Sequence, residues 1–203
     1  MSTPLIYRYV PGHGSDTLLL LLHGTGGNED DLLGLGGTVL PNAGLLSPRG
    51  PVLENGMPRF FRRLSEGVFD TGDVIRRAAE LGAFIREQAA EHGFDPTRVL
   101  ALGYSNGANI AAAMLLTGAA VFPRAVLIRA MVPLEPATPP ALAGTEVLLA
   151  AGRYDPIATP AQTRRLRELL EAGGATVTLH EENSGHQITR GDIEAATRWL
   201  ARK

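Results

Sequence analysis

The stretch Gly103-Tyr104-Ser105-Asn106-Gly107 sets a serine between two glycines, with the apolar run Arg98 to Tyr104 leading in and an alanine-rich stretch leading out. A strand, then G-x-S-x-G, then a helix is the context of a nucleophile elbow, a tight turn that holds a hydroxyl away from the backbone for attack on a carbonyl. The flanking positions must be nearly free of side chain for strand and helix to meet at such a corner, and glycine supplies that clearance. The free N–H groups and positive dipole end of the following helix would face the same hydroxyl. Without chemistry, Ser105 would simply cap that helix.

A serine hydroxyl is a weak nucleophile near neutral pH, so it needs a base, and the base needs an orienting acid. Of the five histidines, His13 sits in a Gly-rich turn, His92 closes a helical pattern and His180 lies inside a strand pattern. Each of these has an adequate structural role. His186, in "ENSGHQIT", falls in a loop between the last strand and the last helix, from which an imidazole can reach across to a neighbouring strand. Asp155, in "GRYDPIATP", follows a buried strand by a few residues and precedes Pro156; turn and N-cap formation is its competing role. Asp192, in the first turn of the final helix, and Glu181, still in a strand, are weaker acids for the purpose. The order Ser105, Asp155, His186 along the chain is that of α/β-hydrolases and differs from the chymotrypsin and subtilisin orders.

Attack on a carbonyl leaves a negative oxygen that needs preorganised donors. "LLLLLHGTGGNEDD" ends a buried strand in His23-Gly24-Thr25-Gly26-Gly27, the position from which such folds supply one donor, the other coming from the residue after the nucleophile. The expected donors are therefore the backbone N–H groups of Thr25 and Asn106, with His23 buttressing the loop. The same glycines also suit a tight turn before a helix capped by Asn28, with Asp31 three positions on.

These residues need a scaffold, and the chain alternates between strand and helix patterns. "LIYRYV" (Leu5 to Val10) alternates like an edge strand, while Thr17 to Leu22, Arg98 to Tyr104, Arg124 to Met131, Glu146 to Gly152 and Thr176 to Glu181 look like strands covered on both faces, with a further short strand at Leu45 to Ser47. Asp73 to Glu91 carries apolar or small residues three to four apart and stops at Gly93, which predicts a helix. Others are expected after Asn106, Pro160 and Thr189. This rhythm predicts a single α/β domain over residues 1–203 with a mostly parallel sheet of about seven strands and helices on both faces.

Two irregular stretches, Ser47 to Gly72 and Pro133 to Gly144, are expected at the carboxyl edge of the sheet, where ligands bind. The first carries Met57, Phe60, Phe61 and Phe69 beside Arg59, Arg62 and Arg63. With Met131, the residues Met57, Arg59, Phe60 and Phe61 are candidates for an acyl or aromatic pocket with an anionic anchor. Alternatively, the phenylalanines anchor the loop to the core and the arginines are solvated.

The formal net charge of -2 leaves no electrostatic footprint for nucleic acid. Cysteine is absent, which removes disulfides, a thiolate nucleophile and Cys-based zinc sites; no metal is expected. The stretch Met1 to Tyr9 lacks the apolar core of a signal peptide, and the run Leu18 to Leu22 is too short to cross a bilayer. A cytoplasmic protein without membrane insertion is expected.

"LHGTGGNEDDL", "GYSNGANIAAAML", "GRYDPIATP" and "SGHQI" together resemble, in order and across nearly the whole chain, the carboxylesterase/phospholipase family of α/β-hydrolases, relatives of acyl-protein thioesterases and dienelactone hydrolases. The resemblance implies an α/β-hydrolase fold without a large lid domain, no cofactor, small-molecule ester substrates of modest size and dimers as a common assembly. It also implies a serine carboxylesterase mechanism through Ser105, Asp155 and His186. Thioesters and lactones are open to the same machinery, and a non-catalytic ligand receptor is the rival on the same fold. The chain departs from the acyl-protein thioesterases at Asn106 and in its "HGTGG" loop, and from dienelactone hydrolases in lacking cysteine.

Overall fold

A computed structural model of the chain describes residues 5–202; residues 1–4, part of the stretch read for a signal peptide, lie outside the described residues. In chain order the elements are β1 (Tyr7–Val10), β2 (Leu18–Leu22), α1 (Leu33–Val39), β3 (Gly44–Pro48), and the short strands β4 (Val52–Glu54), β5 (Met57–Arg59), β6 (Arg63–Ser65) and β7 (Val68–Phe69). They continue with α2 (Thr71–His92), β8 (Val99–Tyr104), α3 (Asn106–Thr117), β9 (Arg124–Ile128), β10 (Glu146–Gly152), α4 (Pro160–Ala172), β11 (Thr176–Glu182) and α5 (Arg190–Leu200).

The central sheet has seven strands in the order β1-β3-β2-β8-β9-β10-β11. All neighbours pair in parallel except β1, which runs antiparallel against β3. Alternation along β2 explains the two layers. Leu18, Leu20 and Leu22 pack with Val74, Ala78 and Ile85 of α2, Ile110 and Met114 of α3 and Leu166 of α4. Leu19 and Leu21 point the other way, into a cluster with Val39 of α1 and Ala196, Trp199 and Leu200 of α5. A parallel strand covered on both faces reads as a continuous apolar run. Helix α3 is buried along nearly its whole length, which explains its alanines: small side chains let it lie close to β8, β9 and α2.

Helix α2 spans the predicted stretch, capped at its start by the Asp70 carboxylate on the Asp73 amide and stopped by Gly93 at φ 74°. Three sequence expectations need correction. The strand expected over Arg124 to Met131 ends at Ile128, because Arg129 turns the chain with φ 57°. The strand expected at Thr176 to Glu181 is covered unevenly, since β11 forms the edge of the sheet and Leu179 stays 37% exposed. The Pro133 to Gly144 connection does not stay at the carboxyl edge: it crosses to the opposite end, where the Leu142 amide bonds the Gly173 carbonyl beyond α4 at 2.8 Å. The Ser47 to Gly72 stretch, aperiodic in sequence, holds two hairpins, β4 with β5 and β6 with β7. Among the described residues no helix is long and apolar enough to cross a membrane.

Candidate active site

Strand β8 delivers Ser105 and α3 begins on the next residue. A Cβ at Gly103 would lie 2.6 Å from the Gly107 backbone, and one at Gly107 would run into the Leu22 and His23 carbonyls. The two glycines are therefore required by the close approach of α3 to β8 and to the end of β2. Ser105 adopts φ 51° and ψ -114°, a conformation that L side chains disfavour. It is held there from both sides: its N–H donates to the Ile128 carbonyl and its carbonyl accepts from the Asn109 N–H, each at 2.9 Å. Its side chain makes no cap bond to α3, so the hydroxyl is left free of the role that a helix cap would give it.

That hydroxyl lies 2.8 Å from His186 Nε2, and His186 Nδ1 lies 2.8 Å from Asp155 Oδ2. The loops after β8, β10 and β11 thus bring residues 105, 155 and 186 together at one edge of the sheet. Asp155 uses its two oxygens separately. Oδ1 accepts from the Ile157 and Ala158 amides at 2.8 and 2.9 Å, the turn chemistry, while Oδ2 faces the imidazole. A fully buried carboxylate accepting these bonds fixes the tautomer: Nδ1 carries the proton and donates to Asp155, leaving Nε2 to accept from Ser105. The N-cap of α4 is Thr159, not Asp155.

The His23–Gly27 loop passes beside the serine, since a Cβ at Gly24 would be 3.6 Å from the Ser105 Cβ. Among the described residues neither the Thr25 nor the Asn106 N–H donates to a protein acceptor, while the neighbouring Gly26 and Gly27 amides donate to Pro58 and Gly24 carbonyls at 2.9 and 3.1 Å. His23 is buried and accepts the Gly50 N–H on Nε2 at 2.9 Å, so its proton sits on Nδ1 and goes to the Gly24 carbonyl at 2.7 Å. Burial pushes its pKa below the ordinary range, with the Gly24 carbonyl opposing. Asn28 does not cap a helix as the sequence suggested: its N–H reaches Asp31 Oδ2 at 3.3 Å and its Oδ1 accepts the Asp30 N–H at 2.8 Å, but α1 starts later, at Leu33.

A cavity of about 240 Å³ opens on Ser105 and His186, lined also by Thr25, Arg59, Arg63, Glu66, Phe69 and Met131. Of the pocket candidates, Arg59 and Met131 reach this cavity. Phe60 and Phe61 do not; both are buried in the core, where Phe61 packs edge-on against Phe69 with ring centres 5.1 Å apart. Met57 is 40% exposed and lies against Gly26. All three arginines are paired; Arg62 is solvated, as the alternative reading expected, whereas Arg59 is buried and Arg63 largely covered. Arg59 Nη1 donates to Thr25 Oγ1 at 2.7 Å and its Nε lies 3.2 Å from Glu54; Arg63 pairs with Glu54 and Glu66, and Arg62 with Asp70. Burial and the neighbouring Arg63 push the Arg59 pKa down, while Glu54 works the other way.

Several side chains at the site had no role assigned from the sequence, which read Asn106 only for its backbone N–H. Asn106 and Asn109 occupy one face of α3, and their side-chain carbonyls accept the Phe60 and Met131 amides, each at 2.7 Å. Their signal was two polar residues at the head of an otherwise apolar helix. Tyr104 donates its hydroxyl to the His186 carbonyl at 3.1 Å. Arg129, a lone charge in the apolar run "VLIRAM", is fully buried beside the His186 loop.

The phospholipase/carboxylesterase family matches over residues 10–202. The chain is 50% identical over 185 residues to a Bacillus subtilis (strain 168) protein named "Putative hydrolase MhqD", covering 91% of this chain and 92% of that one. The solved Bacillus cereus carboxylesterase is 50% identical with a TM-score of 0.90, over 96% of this chain and 92% of that one. A carboxylesterase from Mesorhizobium loti is 33% identical with the same TM-score of 0.90, over 97% and 94% of the two chains. The chain belongs to the phospholipase/carboxylesterase family of α/β-hydrolases and, as a member, is an ester-hydrolysing enzyme.

Proposed function

We propose that the chain is a serine carboxylesterase that cleaves small to medium carboxylic esters through an acyl-enzyme on Ser105. His186 carries the proton, Asp155 orients it, and the Thr25 and Asn106 N–H groups receive the oxyanion. The observation that carries this reading is the unbroken hydrogen-bonded chain from Ser105 Oγ through His186 to Asp155, with 2.8 Å at each link.

As Ser105 Oγ attacks the ester carbonyl, its proton passes to His186 Nε2, and the imidazolium is stabilised by the Asp155 carboxylate. The carbonyl π electrons move to oxygen, which the two free amides stabilise. Collapse expels the alkoxide, which takes the proton from Nε2 and leaves as the alcohol. Water then repeats the steps in reverse roles, releasing the acid and restoring the serine. A fluorophosphonate probe tests this directly. It should label Ser105 stoichiometrically by peptide mass, and both labelling and hydrolysis should vanish in Ser105→Ala. Ester turnover that survives Ser105→Ala would overturn the assignment.

The cavity supports a neutral substrate. Arg59 and Arg63 reach it, but each is matched by Glu54 or Glu66, so the anionic anchor has no uncompensated charge among the described residues. A short neutral aryl ester should be cleaved with higher kcat/KM than an isosteric half-ester bearing a carboxylate. The opposite preference would reinstate the anchor.

A further inference from the structure

We infer that Arg129, held by Asp192, is a positioning residue for His186; the inference rests on the reading of Ser105, His186 and Asp155 above. Arg129 follows β9, between the strand that delivers Ser105 and the strand that leads to Asp155. Its backbone is fixed by a 2.8 Å bond from its N–H to the Ala150 carbonyl and by φ 57°.

Every N–H of its guanidinium is used. Nε donates to the Gly185 carbonyl at 3.0 Å and Nη2 to the Gln187 carbonyl at 3.0 Å, so one planar group grips the carbonyls of the residues on either side of His186. Nη2 also reaches Ser184 Oγ at 3.0 Å, and Nη1 reaches the Ala150 carbonyl at 3.0 Å. The carbonyl between the two gripped ones, that of His186 itself, is held by the Tyr104 hydroxyl at 3.1 Å. Three consecutive carbonyls of the imidazole loop are thus fixed from β8 and from the end of β9.

Asp192 supplies the counter-charge, with Oδ1 and Oδ2 at 3.0 and 2.7 Å from Nη1 and Nη2, and both side chains are fully buried. Its Oδ2 also accepts the Thr189 N–H at 2.8 Å in a capping box, which orients the guanidinium relative to α5. The dipole role read for Asp192 in the sequence is therefore half of its account. A buried ion pair is a poor way to add stability, because hydrophobic replacements often do as well. A fork that spans two carbonyls around the proton carrier instead fixes geometry. A ring displaced by about 1 Å can lose about 100-fold in turnover.

The test uses the full chain and two variants. Arg129→Met with Asp192→Leu removes both charges at similar volume, and Arg129→Lys keeps a charge for Asp192 but cannot span the carbonyls of 185 and 187. For each variant that melts cooperatively, kcat and KM on a p-nitrophenyl ester, the rate of fluorophosphonate labelling and the deshielded His186 Nδ1–H proton resonance are measured. The expected result is a fall in kcat and labelling of about 100-fold, with KM within about threefold and the resonance shifted or broadened. If the double variant does not fold, Arg129→Lys decides alone. A folded variant with kcat within about threefold of the parent and an unmoved resonance overturns the inference, as does a kcat loss that only tracks the folded fraction. Ser105→Ala and His186→Ala run alongside. If they retain turnover the reading of the site fails, whereas if they abolish it and the Arg129 variants do not, only the positioning role fails.

Discussion

Replacing Ser105 with glycine and, separately, with alanine divides the backbone of the elbow from its hydroxyl. Both changes remove Oγ and with it the 2.8 Å bond to His186, so both variants should be inactive and unlabelled. They differ in what the backbone must tolerate. At φ 51° and ψ -114° the residue lies outside even the small left-handed basin. A side chain held in such a region costs of order 1–3 kcal/mol, which glycine avoids. Against this, glycine's freer unfolded chain costs about 0.5–1 kcal/mol. Mid-values leave the glycine variant ahead by about 1 kcal/mol, or about 2–4 °C in Tm for a chain of this size. The strain cannot relax in the alanine variant, because the two 2.9 Å backbone bonds to Ile128 and Asn109 remain. Matched calorimetric melts decide it: a glycine variant that melts at or below the alanine variant would refute the claim that the elbow stores strain.

Asp155→Asn should keep the Oδ1 bonds to Ile157 and Ala158 but turn an amide N–H₂ toward His186 Nδ1, forcing the wrong tautomer. Turnover should fall on the order of 10⁴-fold with little change in Tm, as read by stopped assays against Ser105→Ala. Gly107→Ala should fail to fold or lose more than about 4 kcal/mol, because its Cβ enters the Leu22 and His23 carbonyls; a normal urea midpoint would contradict the close-approach account. His23 gives a pH prediction. Its folded pKa lies below its unfolded value of about 6.5. Above that pH it is neutral in both states and its contribution is complete. As pH falls below about 6.5 the unfolded chain takes up the proton first, so stability declines until the folded pKa is passed. His23→Gln, measured by urea unfolding at a series of pH values, should flatten that decline; an unchanged slope would remove His23 as its source.

The parallel sheet and its helices were legible because a strand buried on both faces, such as β2, reads as an unbroken run of leucines, and because α2 carries its own start and stop signals. The nucleophile, acid and base candidates were legible for a related reason. Each lies just beyond a recognisable strand, and the glycines around Ser105 mark a backbone that no other residue fits. The misreadings share one physical source. The end of β9 and the exposure of β11 depend on neighbours far along the chain: Arg129 leaves the strand because Ala150 and Asp192 hold it, and β11 is an edge because no strand among the described residues pairs beyond it. Hydrogen bonds between residues tens of positions apart have no period, so Arg129, Asn109 and the side chain of Asn106 showed in the sequence only as polar groups out of place.

The Ser47 to Gly72 stretch shows what such long-range bonds accomplish. Sequence alone suggested a pocket wall, and part of the stretch is one. Its backbone, however, is bonded into the other elements of the site. Gly50 holds His23, the Pro58 carbonyl takes the Gly26 amide, Arg59 holds the Thr25 hydroxyl, and the Phe60 amide meets Asn106. Four ties on one segment fasten both proposed oxyanion donors, Thr25 and Asn106, while the core burial of Phe60 and Phe61 keeps the segment itself in place. Loosening it therefore acts on the charge that develops during attack more than on ground-state binding. Arg59→Met, which keeps much of the side chain's bulk but releases Thr25, should lower kcat for a neutral ester by more than it raises KM; a pure KM effect would return Arg59 to the role of a substrate contact.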